Sequence, residues 1–264
     1  WIERRKEERL NLLSYFPEVK SVISVAVNYF PQEAPDSNDI GKISNYAWGE
    51  DYHSILKQKL FELLALIQQD YPEVLYRVCV DTSPVMDKIW ARQAGLGWIG
   101  KHTNIITRDF GSWVFLGELM LDIELDYDSP FEADHCGSCT ACLDACPTDA
   151  FPSPYVLDAN KCISYLTIEH RGSIASELEA GMDDWIYGCD ICQQVCPWNI
   201  KFQKITNEEG FLPRHDIHNK DLEKWGDLTP EEFKILFKGS PVKRTKFEGL
   251  KRNINIAIKN VKCQ

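Results

Sequence analysis

Cys136, Cys139, Cys142 and Cys146, with Pro147 behind the last, stand at the spacing CxxCxxCxxxCP. Four thiolates so arranged form the bacterial ferredoxin run for a [4Fe–4S] cluster. A second set follows, Cys162 alone and then Cys189, Cys192 and Cys196-Pro197, so that eight cysteines fall within residues 136 to 196. Eight thiolates is the ligand count of two cubanes. The short spacings bring three sulfurs onto one cubane, while the fourth cysteine of such a run ligates the other cluster. The expected ligand sets are therefore Cys136, Cys139, Cys142 with Cys196, and Cys146, Cys162, Cys189 with Cys192. Cys79 and Cys263 are left as bystanders. Zinc ribbons and disulfides are the alternatives, but zinc sites are built from two CxxC pairs rather than from this run.

The chain of 264 residues carries a net charge of −11, which argues against general nucleic-acid binding. The charge is local, however. Residues 109 to 160 hold eleven Asp and Glu and no Lys or Arg, and the remainder balances 29 acidic against 29 basic residues. Negative charge around an anionic cluster disfavours a further electron, which reads as a low-potential centre; a solvated acidic face is the plainer reading. At the other end Lys243, Arg244, Lys246, Lys251, Arg252, Lys259 and Lys262 against Glu248 give +6. This is a candidate phosphate-contacting tail, or an ordinary amphipathic surface helix. No run of 18 apolar residues and no cationic, apolar signal sequence is present, and eight metal-ligating thiolates suit a reducing compartment, so a soluble cytoplasmic monomer is expected. The missing initiator Met and the helical-looking end suggest that both termini are cut short.

The elements that must position these residues divide as an α/β body over residues 1–130, a cluster domain over 131–200 and a helical region over 201–264. Residues 1–16 read as the end of a charged helix, 19–29 as a Val- and Ile-rich core strand, and 31–41 as a loop. Residues 44–53 are aromatic and polar without periodicity, which suits a ligand-facing loop as well as a packed turn. Ile55, Leu56, Leu60, Leu63, Leu64 and Ile67 recur at helical spacing. A strand over 74–80 then turns at Asp81-Thr82-Ser83 into a helix predicted to begin at Pro84 and end at Gly95. Asp81, Thr82 or Ser83 can cap that helix; an acid at the carboxyl end of a strand is also where a sheet presents catalytic groups. The glycines of Gly95-Leu96-Gly97-Trp98-Ile99-Gly100-Lys101-His102-Thr103-Asn104 match neither phosphate-loop pattern. Residues 105–107 and 113–123 read as strands of one hairpin. A helix is expected between the cysteine sets over 163–172, and Thr229-Pro230-Glu231-Glu232 is a capping box.

Taken together, Asp81-(Thr-Ser)-Pro84-Val85, Ala94-Gly95-Leu96-Gly97-Trp98-Ile99-Gly100-Lys101, Leu116-Gly117-Glu118-Leu119, Ser164-Tyr165-Leu166-Thr167-Ile168-Glu169 and Tyr187-Gly188-Cys189-Asp190-(Ile)-Cys192-Gln193-(Gln-Val)-Cys196-Pro197-Trp198-Asn199 resemble the tRNA epoxyqueuosine reductases along nearly the whole chain. The resemblance implies an α+β fold, in which a nitroreductase-like α/β domain binds cobalamin base-off against a ferredoxin-like domain with two [4Fe–4S] clusters, followed by the start of a helical C-terminal region. It implies reduction of the epoxide of epoxyqueuosine, at the wobble position of a tRNA anticodon, to the alkene of queuosine. The electrons come from an external low-potential donor through the clusters, and reduced cobalt opens the epoxide. It makes Asp81 the proton donor, expected to be buried against the corrin with a raised pKa. Trp98, Gly100, Lys101, His102, Asn104 and Asp190 become cofactor contacts; Tyr46, Trp48, Trp98 and Tyr165 become candidates for stacking on a splayed base. Arg171, Lys243, Arg244, Lys251 and Arg252 become contacts to tRNA. A cobalamin-dependent reductive dehalogenase shares the plan of two clusters and a corrin, but an export signal would be expected. A ferredoxin-type electron carrier would need only residues 131–199.

Overall fold

The structure is a computed structural model describing residues 3–31, 41–214, 217 and 220–263, without the side chains of residues 3 and 263. The loop expected over 31–41 thus lies almost wholly outside the described residues, as does the side chain of Cys263.

A charged helical turn, α1 (Lys6–Leu10), leads to β1 (Ser21–Asn28), and a short β2 (Lys42–Ile43) precedes the long helix α2 (Tyr52–Asp70). Asp51 caps α2 by accepting a hydrogen bond from the backbone N–H of His53, 3.1 Å. Next come β3 (Tyr76–Cys79), α3 (Asp87–Gln93), β4 (Gly97–Ile99), β5 (Ile105–Thr107) and β6 (Val114–Leu121). The main sheet has the order β1-β6-β3, antiparallel throughout. Its central strand, β6, is apolar at almost every position because both faces are covered. On one face Leu56, Leu60 and Leu64 of α2 pack on Leu119 and Leu121, each contributing ~2 kcal/mol by leaving water. Gly117 permits that approach, since a Cβ there would stand 3.1 Å from Leu60. The other face carries Phe16, Cys79, Val85 and Met120.

Two local expectations differ from the structure. The helix predicted to begin at Pro84 starts at Asp87, and none of Asp81, Thr82 or Ser83 caps it. Asp81 lies at φ +48°, a left-handed turn that carries the chain away from helix geometry before α3 begins. Strand β5 pairs with β4 rather than β6. Gly97 sits so close to Ile106 that any side chain would strike its carbonyl, and the resulting tight ribbon displaces the hairpin expected with β6.

The cluster segment contains α4 (Ala141–Asp144), α5 (Ile163–Ile168), α6 (Ser176–Glu179), β7 (Trp185–Tyr187), α7 (Ile191–Gln194) and α8 (Pro197–Phe202). The C-terminal segment adds α9 (Leu222–Gly226), α10 (Pro230–Leu236) and α11 (Lys246–Cys263). Thr229 closes the expected capping box with Glu232, each accepting from the other's backbone N–H. The three segments share cores rather than owning one each. β2 pairs in parallel with β7, and Ile43, Ala47, Ile186 and Tyr187 are buried with Trp225, Phe237, Leu250 and Ile254 in one cluster. Asn253, wholly buried, fastens α11 by donating to the carbonyls of Thr167 and Ile186, both at 2.9 Å.

Candidate active site and cluster cavities

Cys136, Cys139, Cys142 and Cys196 line one cavity of about 200 Å³. A turn closed from Cys139 N–H to the Cys136 carbonyl, 3.0 Å, and the helix α4 bearing Cys142 present three sulfurs from one run. Cys196 arrives from the other run just before Pro197, which opens α8 from its first position. Burial, then the neighbouring Cys196 and Cys136, push the Cys142 thiol up to about 11. The other four thiols also gather. Cys162 and Cys146 raise Cys189, which reaches about 12 with burial as the leading cause. Cys192 is raised by burial, then by Cys189 and Cys162. Cys142 contributes as well, so the two sets are neighbours. Four crowded thiols that resist ionisation suit a highly charged metal cluster, which deprotonates its ligands on binding. Among the described residues no three His, Cys, Asp or Glu side chains converge on a single ion; the thiols surround a cavity instead. Cys79 stands apart in the core.

A second cavity, a cleft of about 240 Å³, lies between the body and the cluster segment. Val114, Phe115 and Leu116 of β6 form its apolar part, with Tyr29, Tyr46 and Tyr52 around them. Asp81, Asp87, Lys88, Asn104, Ser112 and Gln193 supply its polar edge. Gln193 stands on α7 beside Cys192, so the second thiol set backs directly onto the cleft. Its side-chain amide donates to the Ser112 carbonyl at 3.0 Å. Buried Asn199 completes the joint: its Oδ1 accepts from the Ser112 backbone N–H at 2.6 Å, and its Nδ2 donates to Ser112 Oγ and the Gln193 carbonyl, both at 2.8 Å.

Asp81 reaches the cleft from the turn after β3. Its Oδ2 accepts from Tyr52 Oη at 3.0 Å and faces His53 Nε2 at 3.2 Å. The other ring nitrogen of His53 lies 2.7 Å from Asp51 Oδ1. Burial pulls the His53 pKa down, but the two carboxylates outweigh it and raise it to about 9, so at neutral pH the ring is an imidazolium donating to both. The His53 hydrogen bond in turn leads in lowering the Asp81 pKa, against burial. In the protein alone Asp81 is thus 54% exposed, its pKa held low by the His53 contact; the burial expected of it is against a corrin and a stacked base. Tyr52 stacks between His53 and Phe115, with ring centroids 4.1 and 4.3 Å away. Sequence reading missed His53. Its signal was Asp51-Tyr52-His53 at a helix start, which takes on meaning only when Asp81, 28 residues away, folds over it.

The six residues expected to contact cobalamin disperse. Only Asn104 lines the cleft, accepting from Lys88 Nζ at 3.1 Å. Lys101 and His102 line the first thiol cavity, and Trp98 packs with Cys196 beside it. A side chain at Gly100 would strike Ile106. Asp190 is buried, accepting from Ser44 Oγ and, at 2.7 Å, from the Asn45 N–H; burial leads in raising its pKa to about 6. Of the stacking candidates Tyr46 lines the cleft, whereas Trp98 is buried and Trp48 is bound to the Ile43 carbonyl at 2.6 Å.

The basic residues also divide. Arg252 donates to the carbonyls of Leu166, His170 and Gly172, and Lys251 to that of Gly226; both hold α11 in place. Arg171 and Arg244 stay exposed, Arg171 donating to the Arg244 carbonyl at 3.0 Å and Arg244 pairing bidentately with Glu169 at 2.8 and 3.0 Å. The Arg244 charge also helps to lower the Asp81 pKa, so this edge borders the cleft mouth. Lys243 is exposed beside it.

Residues 135–199 match the family model described as a 4Fe-4S double cluster binding domain, and residues 9–82 match that of Epoxyqueuosine reductase QueG, DUF1730. The chain is 48% identical over 255 residues to the epoxyqueuosine reductase of Cellulophaga algicola, covering 97% of this chain and 82% of that one. It superposes with a TM-score of 0.89 on a crystal structure of epoxyqueuosine reductase with an epoxyqueuosine-modified tRNA-Tyr stem loop, at 32% identity over 97% of this chain and 68% of that one. It superposes equally, at 31% identity over 97% and 69%, on the Bacillus subtilis enzyme with a catalytic aspartate loop swung out of its active site.

Proposed function

The chain belongs to the epoxyqueuosine reductases, and from that premise we propose that it reduces epoxyqueuosine to queuosine in tRNA by passing electrons through its two clusters into the cleft beside Asp81. The observation that carries this reading is the order of the parts. Cys139 of the first thiol set is exposed, the first set adjoins the second, and the second backs onto the cleft through Gln193. Electrons taken up at the surface thus have a route inward, one at a time.

The lining of the cleft is in keeping with one face of a cobalamin. Its apolar part suits the face of a corrin, and Lys88, Asn104, Ser112 and Gln193 would meet the polar amides around such a ring. We place that cofactor here, in what we take to be a nitroreductase-like body. When bound, it would supply a redox metal able to take up electrons singly and to act as a two-electron nucleophile. The protein's own residues handle the protons. Removing the epoxide oxygen consumes two electrons and two protons and releases water. Asp81, ionised and aimed into the cleft, relays a proton from the His53 imidazolium to the oxygen as its C–O bond breaks. Asp51 and Asp81 hold the ring, and Tyr52 keeps Asp81 facing inward. A catalytic loop that carries an aspartate in the Bacillus subtilis relative is in keeping with this role for Asp81.

Arg171, Lys243 and Arg244, at the cleft mouth, would meet the phosphates of the anticodon loop, and the cleft would take the splayed base. Lys251 and Arg252, engaged inside the fold, are not part of that surface. The test is binding of an epoxyqueuosine stem-loop. Arg171→Glu with Lys243→Glu is expected to weaken it and to reduce the log–log salt slope by ~0.7 to 0.9 for each phosphate no longer neutralised. Unaltered affinity and slope would place the tRNA path elsewhere.

A further inference from the structure

The first thiol cavity is built from two parts of the chain. Its sulfurs belong to the cluster segment, whereas Trp98, Lys101 and His102 reach it from β4 and the turn that follows. These three offer the cavity a set of donors. Lys101, buried, donates to the carbonyls of Gly137 at 2.6 Å and Cys139 at 2.9 Å, within the first cysteine run. The run itself sits in the stretch 109–160 that has eleven carboxylates and no Lys or Arg, so Lys101 brings a cation that the stretch itself lacks.

His102 is 2% exposed and accepts the Asn104 backbone N–H on Nδ1 at 3.2 Å. A neutral ring with its Nδ1 so engaged carries its proton on Nε2. That N–H is buried without a partner, on a residue lining the cavity of Cys136, Cys139, Cys142 and Cys196. Trp98 Nε1 is likewise buried and unpartnered, on a ring packed in one cluster with Cys196 and Cys136. Leaving one buried N–H unsatisfied costs ~1 to 3 kcal/mol. Two such donors around a cavity of thiols, where His135 Nε2 is also buried without a partner, call for an acceptor within it, and the sulfurs of an iron–sulfur cluster are such acceptors.

We propose that Trp98 and His102 donate N–H···S hydrogen bonds to the first cluster, and that with the fixed charge of Lys101 they hold its reduction potential above that of the second. Hydrogen bonds to the sulfurs and nearby charge are what set the potential of a cubane. The body thereby tunes the outer cluster, which retains an electron until the inner one can pass it to the cleft. These are positioning residues for electrons; none of them touches substrate. The inference rests on the reading of a two-cluster relay.

The test is an anaerobic redox titration of the reconstituted protein followed by electron paramagnetic resonance, with iron and labile sulfide counted on every variant. The first-cluster wave is identified as the one altered in Cys139→Ser. Trp98→Phe, His102→Phe and Lys101→Met are each expected to make reduction of that cluster about tenfold less favourable, a shift of 59 mV for one electron. The second wave should stay in place, and Lys101→Arg should retain the wild-type value. Should Lys101→Met load fewer irons, the two ring-preserving variants carry the test alone. Fully loaded variants with both waves unmoved, or with both moved together, would overturn the inference. A wild-type protein with one wave and only about four irons would instead defeat the two-cluster reading, whereas about eight irons with coincident waves would overturn the inference.

Discussion

Asp51→Asn isolates the charge that holds the proton on His53. Asparagine keeps a side-chain oxygen to cap α2, so the helix that carries Tyr52 and His53 stays in place. Asp51 and Asp81 together lift His53 from 6.5 to about 9 against the burial that opposes them. The Asp51 contact is the shorter, 2.7 against 3.2 Å, which assigns it at least half of the rise. The three side chains are 25%, 35% and 54% exposed, so solvent screening reduces the loss to about one pH unit. The group acts when protonated: activity is present below its folded pKa and is lost as pH rises through it. Moving that pKa from about 9 to about 8 lowers the protonated fraction at pH 8.5 roughly threefold. The plateau at pH 6.5 is expected to change by less than about twofold, since the ring is protonated there in both proteins. The same raised pKa favours the fold, fully below pH 6.5 and less and less towards pH 9, so the variant should lose part of that alkaline sensitivity in stability too, the part due to Asp81 remaining. The assay is single-turnover conversion of an epoxyqueuosine stem-loop by pre-reduced enzyme between pH 6.5 and 9.5. An alkaline limb at the same pH in both proteins would refute the role of His53.

Glu118 is 1% exposed on β6 with Oε1 unpartnered, and burial, then Asp87, raises its pKa to about 8. The unfolded chain gives up this proton near 4.5 and the folded chain does not, so stability falls between those values; Glu118→Gln should remove that decline, gaining ~3 kcal/mol at pH 7 relative to its effect at pH 4, and a constant difference across unfolding measured at both pH values would contradict it. Asn199→Ala breaks three buried hydrogen bonds between α8, α7 and the loop before β6 and should cost ~3 kcal/mol, read as earlier loss of the visible cluster absorption on heating; an unchanged midpoint would show that the joint is not where the segments are held. Cys146→Ala should strip the cluster held by Cys162, Cys189 and Cys192 while sparing the one at Cys136, Cys139 and Cys142. Mössbauer spectra showing the opposite pattern would undo the crossed ligation.

The cysteine spacing was the most legible feature, because a cubane demands local geometry that a few intervening residues fix. The amphipathic α2 and the capping box at Thr229 were legible for the same reason, since each is decided within a turn or two of helix. The AGLGWIGK stretch was recognisable, but where it sits in the fold was not legible. Its position depends on the β4–β5 ribbon, and nothing in its own residues shows that Trp98, Lys101 and His102 turn towards thiols some forty residues later. The basic tail misled similarly: charge counts cannot distinguish Arg252, spent on the carbonyls of α5 and its following turn, from Lys243, which faces solvent. Asp81 lines the cleft, but its ionisation was not legible, because that is set by a histidine brought over from another element.

The most direct test of the central claim is a single turnover with defined loading. Protein carrying about eight irons per chain and one cobalamin, reduced anaerobically and freed of reductant, is mixed with an epoxyqueuosine anticodon stem-loop, and the nucleosides are resolved by mass spectrometry. One queuosine formed for every two electrons lost from the protein is the expected result, with protein carrying clusters but no cobalamin leaving the epoxide intact. Conversion by the cobalamin-free protein, or none by the fully loaded one, would contradict the relay into the cleft.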